Sequence, residues 1–167
     1  MGVNASGAES YVLCELAGTT YALRSDDIEQ LEMVGQLTPV PNAPAFVDGV
    51  TSVRGRVIPA ISLRARFGFE RQPHDLRSRL VIVRAEGRAV GLIVDNAREF
   101  AAIPEATIHP PPDGLSELSS RYLRGMAQLG ERLVLILDVA ELLRVTEAPS
   151  PSLAAAALSA EILPSIV

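Results

Sequence analysis

The sequence predicts a mostly β protein built from two similar small subdomains, with short helices and a C-terminal helix. Three observations predict it. Residues 46–67 lie without a gap on residues 122–143, so that Phe46 meets Tyr122, Gly49 meets Gly125, Val53 meets Leu129, Arg56 meets Arg132, Ile61 meets Leu137 and Phe67 meets Leu143. A looser match precedes it, setting Ala22-Leu23 on Gly91-Leu92, Asp26 on Asp95 and Ile28 on Ala97. Short apolar runs also recur with turn residues between them, the pattern of all-β barrels or sandwiches. Two copies at this spacing do not make a stacked solenoid, so the repeat reads as duplication of one small fold.

Tyr11–Leu16 is an apolar strand, closed by Gly18-Thr19 and answered by Tyr21-Ala22-Leu23 as a hairpin. Ser25-Asp26-Asp27 resembles a cap, but the segment after it is too short for a long helix. Leu31, Met33 and Leu37 alternate as a half-buried strand, with Leu31 and Met33 facing the core and Gln30 facing outward. Pro39, Pro41 and Pro44 break that strand. Val50–Val53 and Arg56–Ile61 form a hairpin about Gly55, and Pro59 restricts its strand to an edge or bulge because it lacks an N–H. Leu63–Phe67 makes one or two helical turns, and residues 68–78 form an exposed connector.

Leu80–Val83 and Ala89–Val94 pair about Glu86-Gly87, ending at Asp95-Asn96. Pro104 and residues 110–112 mark loops. Tyr122–Leu129 and Leu133–Leu137 then repeat the earlier hairpin, and Val139–Leu143 repeats its short helix. These readings place a domain at residues 8–147, with an N-terminal strand at 11–16, a first lobe at about 20–68 and a second at about 79–143. Residues 148–167 form a separate tail whose Leu153, Leu158, Ile162 and Leu163 suit one amphipathic helix. An alanine-rich helix of this length must dock to be ordered.

Composition narrows the partners. The chain has 167 residues, of which 48% are apolar and 21% charged, within the range of folded globular domains. Its net charge of −5 argues against a nucleic-acid role, which needs a basic stripe. A single Cys excludes an internal disulfide. The first residues lack the basic and apolar regions of a signal peptide, and no apolar run is long enough to span a bilayer. The chain is therefore expected in the cytoplasm.

Catalytic chemistry has no visible place in the sequence. His74 and His109 lie far apart, without the clustered Cys and His of a zinc site. There is no lysine, so no P-loop is possible. A Ser-His-Asp set could be drawn from His109 and Asp95, but no Gly-x-Ser-x-Gly turn supports it. Asp26, Asp95 and Asp138 each follow an apolar strand and read as turn-capping side chains. The expectation is a non-enzyme that needs no cofactor and no metal, and works as a surface for partners.

The motifs carry a resemblance. Tyr21-Ala22-Leu23, Thr38-x-Val40-Pro41, Phe46-Val47-x-Gly49-Val50, Val53-Arg54-Gly55-x-Val57-Ile58-Pro59 and Leu63-x-x-x-Phe67 occur in order. Val90-Gly91-Leu92-x-Val94-Asp95, Ile108-x-Pro110, Tyr122-Leu123-x-Gly125 and Arg132-Leu133-x-x-x-Leu137-Asp138-x-x-x-Leu142-Leu143 come after them. Together they resemble the CheW family of bacterial chemotaxis coupling proteins, from about Tyr11 to Leu143. The resemblance implies two SH3-like five-stranded β-barrels packed on one another. It also implies an adaptor that links the cytoplasmic tips of methyl-accepting chemoreceptors to the regulatory domain of a CheA-type histidine kinase, recruited to membrane receptor arrays without inserting in the bilayer itself.

Residue by residue, the resemblance implies that Arg54 stands at a coupling arginine and Ile28 at an apolar receptor contact, with Ala97 and Phe100 at positions that are often apolar. Gln30 departs from the family, which has Glu there, paired with the arginine at Arg54. Asn96-Ala97 departs from Gly-Val. A CheW-like scaffold of a non-flagellar pathway, or a small-molecule-binding barrel using the cleft between lobes, remain the alternatives.

Overall fold

The computed structural model describes residues 7–114 and 121–147, so the expected tail helix lies outside the described residues. The strands are β1 (Ala8–Leu16), β2 (Thr19–Arg24), β3 (Ile28–Met33), β4 (Val47–Val53) and β5 (Arg56–Ser62), then β6 (Arg79–Ala85), β7 (Arg88–Val94), β8 (Asn96–Pro104), β9 (Leu123–Leu129) and β10 (Arg132–Leu137). Among the described residues, two α-helices join them, α1 (Leu63–Arg66) and α2 (Val139–Glu147), and 3₁₀ turns cover Ser25–Asp27 and Glu105–Thr107.

These strands make two five-stranded sheets. One has the order β8-β1-β2-β10-β9 and the other β3-β6-β7-β5-β4. The hairpins pair antiparallel, while β2 meets β10 and β5 meets β7 in parallel. The repeat survives in detail. Phe46 O accepts from Ser62 N–H at 2.8 Å, and Tyr122 O accepts from Asp138 N–H at 2.8 Å. Ser62 and Asp138 then cap the helices that come next, accepting from Ala65 N–H at 3.2 Å and Glu141 N–H at 3.0 Å.

The division into lobes is corrected by this topology. Neither sheet comes from one contiguous lobe, because β2, inside the expected first lobe, joins β9 and β10, whereas β6 and β7, expected in the second, join β3, β4 and β5. Ala60 pairs with Gly91 and Ile136 with Ala22, and the repeat sets Ala60 on Ile136 and Gly91 on Ala22. Each copy therefore lends its opening hairpin to the closing strands of the other. The reason is burial on both faces. Leu80, Val81, Ile82 and Val83 are all within 1% of full burial: Leu80 and Ile82 fill one sheet's own core, while Val81 and Val83 join the cluster between the sheets. In the partner sheet Tyr11 and Leu13 face its own core, and Val12 and Cys14 face the shared cluster. A hairpin apolar on both faces needs cover on both, and the exchange supplies it.

Three further features are set by the tertiary structure. β8 was not legible as a strand: Asn96–Pro104 holds three alanines and two charges of opposite sign beside each other, without alternation, and its pairing with β1 imposes the extended form. Met33 does not face the core and is 54% exposed, because β3 is an edge strand and its end runs past the cover of the shared cluster; Leu31 does pack against that cluster. Tyr122 is buried, but its counterpart Phe46 is only half-buried. Pro59 is tolerated where β5 has one partner, since β7 joins only from Ala60 onward.

Candidate partner-binding surfaces

β3 and β8 occupy equivalent edge positions in the two sheets, and each carries a bulge at the same place. The bulge leaves Glu29 and Arg98 unpaired in the ladder and sets Ile28 and Ala97 toward the cluster between the sheets. Ile28 is half-buried against that cluster. Ala97 is 5% exposed and packed within it, so it shapes the floor of the seam and offers almost no surface of its own. Phe100 is 68% exposed although it pairs with Val12, whose side chain lies in the shared cluster. By the repeat, Phe100 stands where the other copy has Leu31. The seam thus combines a closed floor with exposed apolar side chains, Phe100 on β8 and Met33 on β3.

Gln30 and Arg54 come together through a residue that sequence reading missed. Gln30 donates from Nε2 to Glu32 Oε1 at 2.9 Å, and Arg54 Nε approaches the same oxygen at 3.8 Å. Gln30 and Glu32 share a face because they are two residues apart on one strand, and that spacing was the signal available. Arg54 is held out by the β4–β5 turn, where it and Gly55 both take positive φ, and its side chain is 78% exposed. Glu29, on the bulge, binds both Arg56 and Arg84; the Arg56 hydrogen bond, then Arg84, holds its carboxyl below the usual range. In the other copy Glu99, the counterpart of Gln30, forms a bidentate pair with Arg132 at 3.1 and 2.9 Å.

A second apolar surface lies beside α1. Phe67, Phe69, Leu123, Met126 and Leu135 line an open cleft of about 500 Å³. Phe67 packs in tilted geometry against Tyr21 and Tyr122 at centroid distances of 5.8 and 5.4 Å. Sequence reading did not single this cleft out, because its walls come from α1 and from hairpins of both copies.

Several other polar groups serve the fold. Asp95 accepts from Ala17 N–H at 2.9 Å and takes Arg64 in a bidentate pair at 2.8 and 2.6 Å. Burial opposes its charge, but Arg64 and the Ala17 N–H outweigh that and hold the carboxyl below its ordinary value. His109 joins Met126 through its backbone, and His74 Nε2 lies 3.6 Å from Asp48. Among the described residues, no group of three or more His, Cys, Asp or Glu could hold a metal ion.

Two interleaved five-stranded sheets with exposed apolar surfaces define a CheW-like domain, and the family model of that description matches residues 10–147. The chain belongs to the CheW family of chemotaxis coupling and scaffold proteins. It is similar to the chemotaxis protein CheW of Klebsiella aerogenes, 27% identical over 83% of this chain and 84% of that protein. It is 36% identical to CheW of Helicobacter pylori over 64% of each chain, and 31% identical to protein FrzA of Myxococcus xanthus over 62% of this chain and 64% of that one. The crystal structure of the scaffolding protein TtCheW from Thermoanaerobacter tengcongensis matches with a TM-score of 0.74 and 30% identity, covering 81% of this chain and 87% of that one.

Proposed function

We propose that this chain couples the cytoplasmic tips of transmembrane chemoreceptors to the regulatory domain of a CheA-type histidine kinase. It does so without catalysis of its own, in the cytoplasm, recruited to membrane receptor arrays. Residues 8–147 carry this role, and 148–167 are an appendage to it. Family membership supports the reading, and the seam between the sheets supports it locally. The observation that carries it is Phe100, a large aromatic side chain 68% exposed on the edge of that seam, where its counterpart Leu31 packs against the shared cluster. A helical receptor tip would lay apolar side chains against Ile28, Phe100 and Met33, above a floor that includes Ala97. Arg54 and Gln30, both joined to Glu32, would supply the polar rim.

The test uses receptor-containing membranes and a CheA-type histidine kinase. Phe100→Ser and Arg54→Ala should leave the melting temperature within about 2 °C of the native value, since exposed substitutions cost within about 0.5 kcal/mol. Both should reduce co-sedimentation of the receptor–kinase complex and receptor control of kinase activity. Native-like assembly and control in both variants would overturn the reading.

A further inference from the structure

The cleft beside α1 holds two polar groups that the described residues leave unanswered. Tyr122 is 5% exposed, and its hydroxyl is buried without a hydrogen-bond partner. Arg66 has a buried Nε with no hydrogen-bond partner. Its guanidinium lies between two aromatic rings instead, 4.9 Å from the Phe46 centroid and 5.1 Å from that of Tyr122. Buried donors are almost always satisfied, and a guanidinium whose Nε lacks an acceptor at the rim of an apolar cleft suits an anion. The wanted occupant is a segment with apolar side chains and one carboxylate. A carboxylate has enough acceptor sites for both orphaned donors.

The tail has that chemistry. Residues 148–167 contain a single charged side chain, Glu161, near Leu158 and Ile162. In a helix, positions 158, 161 and 162 share one face, and Pro164 ends the pattern. Reach is ample: the ten residues 148–157 span up to about 33 Å when extended, against a radius of gyration of about 14 Å for a domain of this size. We propose that the tail docks in this cleft of its own chain as a short helix. Leu158 and Ile162 pack against Phe67, Phe69, Leu123 and Met126, and Glu161 accepts from Arg66 and Tyr122. This goes beyond the coupling role and does not depend on it.

Hydrogen exchange on the full-length chain tests the assignment without any partner. Amides 154–163 should exchange at least about tenfold more slowly than in an unstructured peptide, as expected for a docked and locally stable element. Arg66→Glu should abolish that protection, and the double variant Arg66→Glu with Glu161→Arg should recover it. Tyr122→Phe should reduce it without unfolding the protein, which a thermal melt monitors. Random-coil exchange of the tail in the native chain would overturn the proposal. So would protection indifferent to Arg66→Glu, or protection that falls on dilution, the mark of a tail docked on a second copy.

Discussion

Gln30 and Glu32 are tied together on one face of β3: the Gln30 amide donates to Glu32 Oε1 at 2.9 Å, and Arg54 approaches that same oxygen. Where the resemblance implies a carboxylate at position 30, this chain carries one two residues later, on the same face of β3. The sequence alone leaves Arg54 uncompensated. In the fold it has a partner, supplied by Glu32.

This arrangement predicts a swap experiment. Glu32→Gln should weaken receptor-dependent coupling, and Gln30→Glu combined with Glu32→Gln should restore it. Arg54 is exposed, so each variant should change folding stability by no more than about 1 kcal/mol. The affinity differences should shrink at high salt, because the charges involved are open to screening. Receptor titrations at two ionic strengths, with urea melts beside them, check both parts. Equal affinities for all variants would separate Glu32 from function.

Gly49 and Gly125 predict a matched pair of folding defects. A Cβ at Gly49 would overlap the Thr38 carbonyl, and its φ of +146° is itself unfavourable for other residues. A Cβ at Gly125 would lie 2.8 Å from the His109 oxygen and 2.6 Å from the Ile108 side chain. In each copy the glycine allows a neighbouring bridge, Thr38 to Val50 and His109 to Met126, to close. Gly49→Ala should cost about 2–4 kcal/mol, combining backbone strain with a clash. Gly125→Ala should cost less, since part of its clash is with a side chain that can turn. Chemical denaturation of the two variants gives the order.

Asp95 predicts an acid-sensitive link between the sheets. It follows β7 of one sheet, accepts from Ala17 in the β1–β2 turn of the other, and holds Arg64 of α1. Its pKa is depressed in the folded state, so the stability it contributes is present above the ordinary carboxylate value near 3.9 and is lost as pH falls through the folded value. Asp95→Asn should cost about 1–3 kcal/mol at pH 7 by leaving Arg64 and the Ala17 N–H poorly satisfied. Denaturation curves from pH 7 to pH 2 should show the gap between native and variant closing below about pH 4.

Cys14 predicts silence. It is 1% exposed in the cluster between the sheets, and burial pushes its thiol up to about 12. Reaction requires the thiolate, so iodoacetamide at about pH 8 should label the protein only after denaturation. Rapid labelling of the native chain would mean that the two sheets part readily.

The sequence by itself determined the hairpins, the duplication and the glycines that serve it, because local alternation, turn residues and a repeated pattern are properties of neighbouring positions. It also carried the family, through motifs spread over both copies. Tertiary structure decided what depends on distant partners. β8 becomes a strand only because β1 pairs with it, and Met33 is exposed only because nothing covers the end of an edge strand. The exchange of hairpins between copies was invisible for the same reason: residues such as Val81 and Leu92 declare that they are buried, but not by which copy. Likewise, Gln30, Glu32 and Arg54 meet only once the β4–β5 turn is brought to β3, so their shared oxygen belongs to the fold.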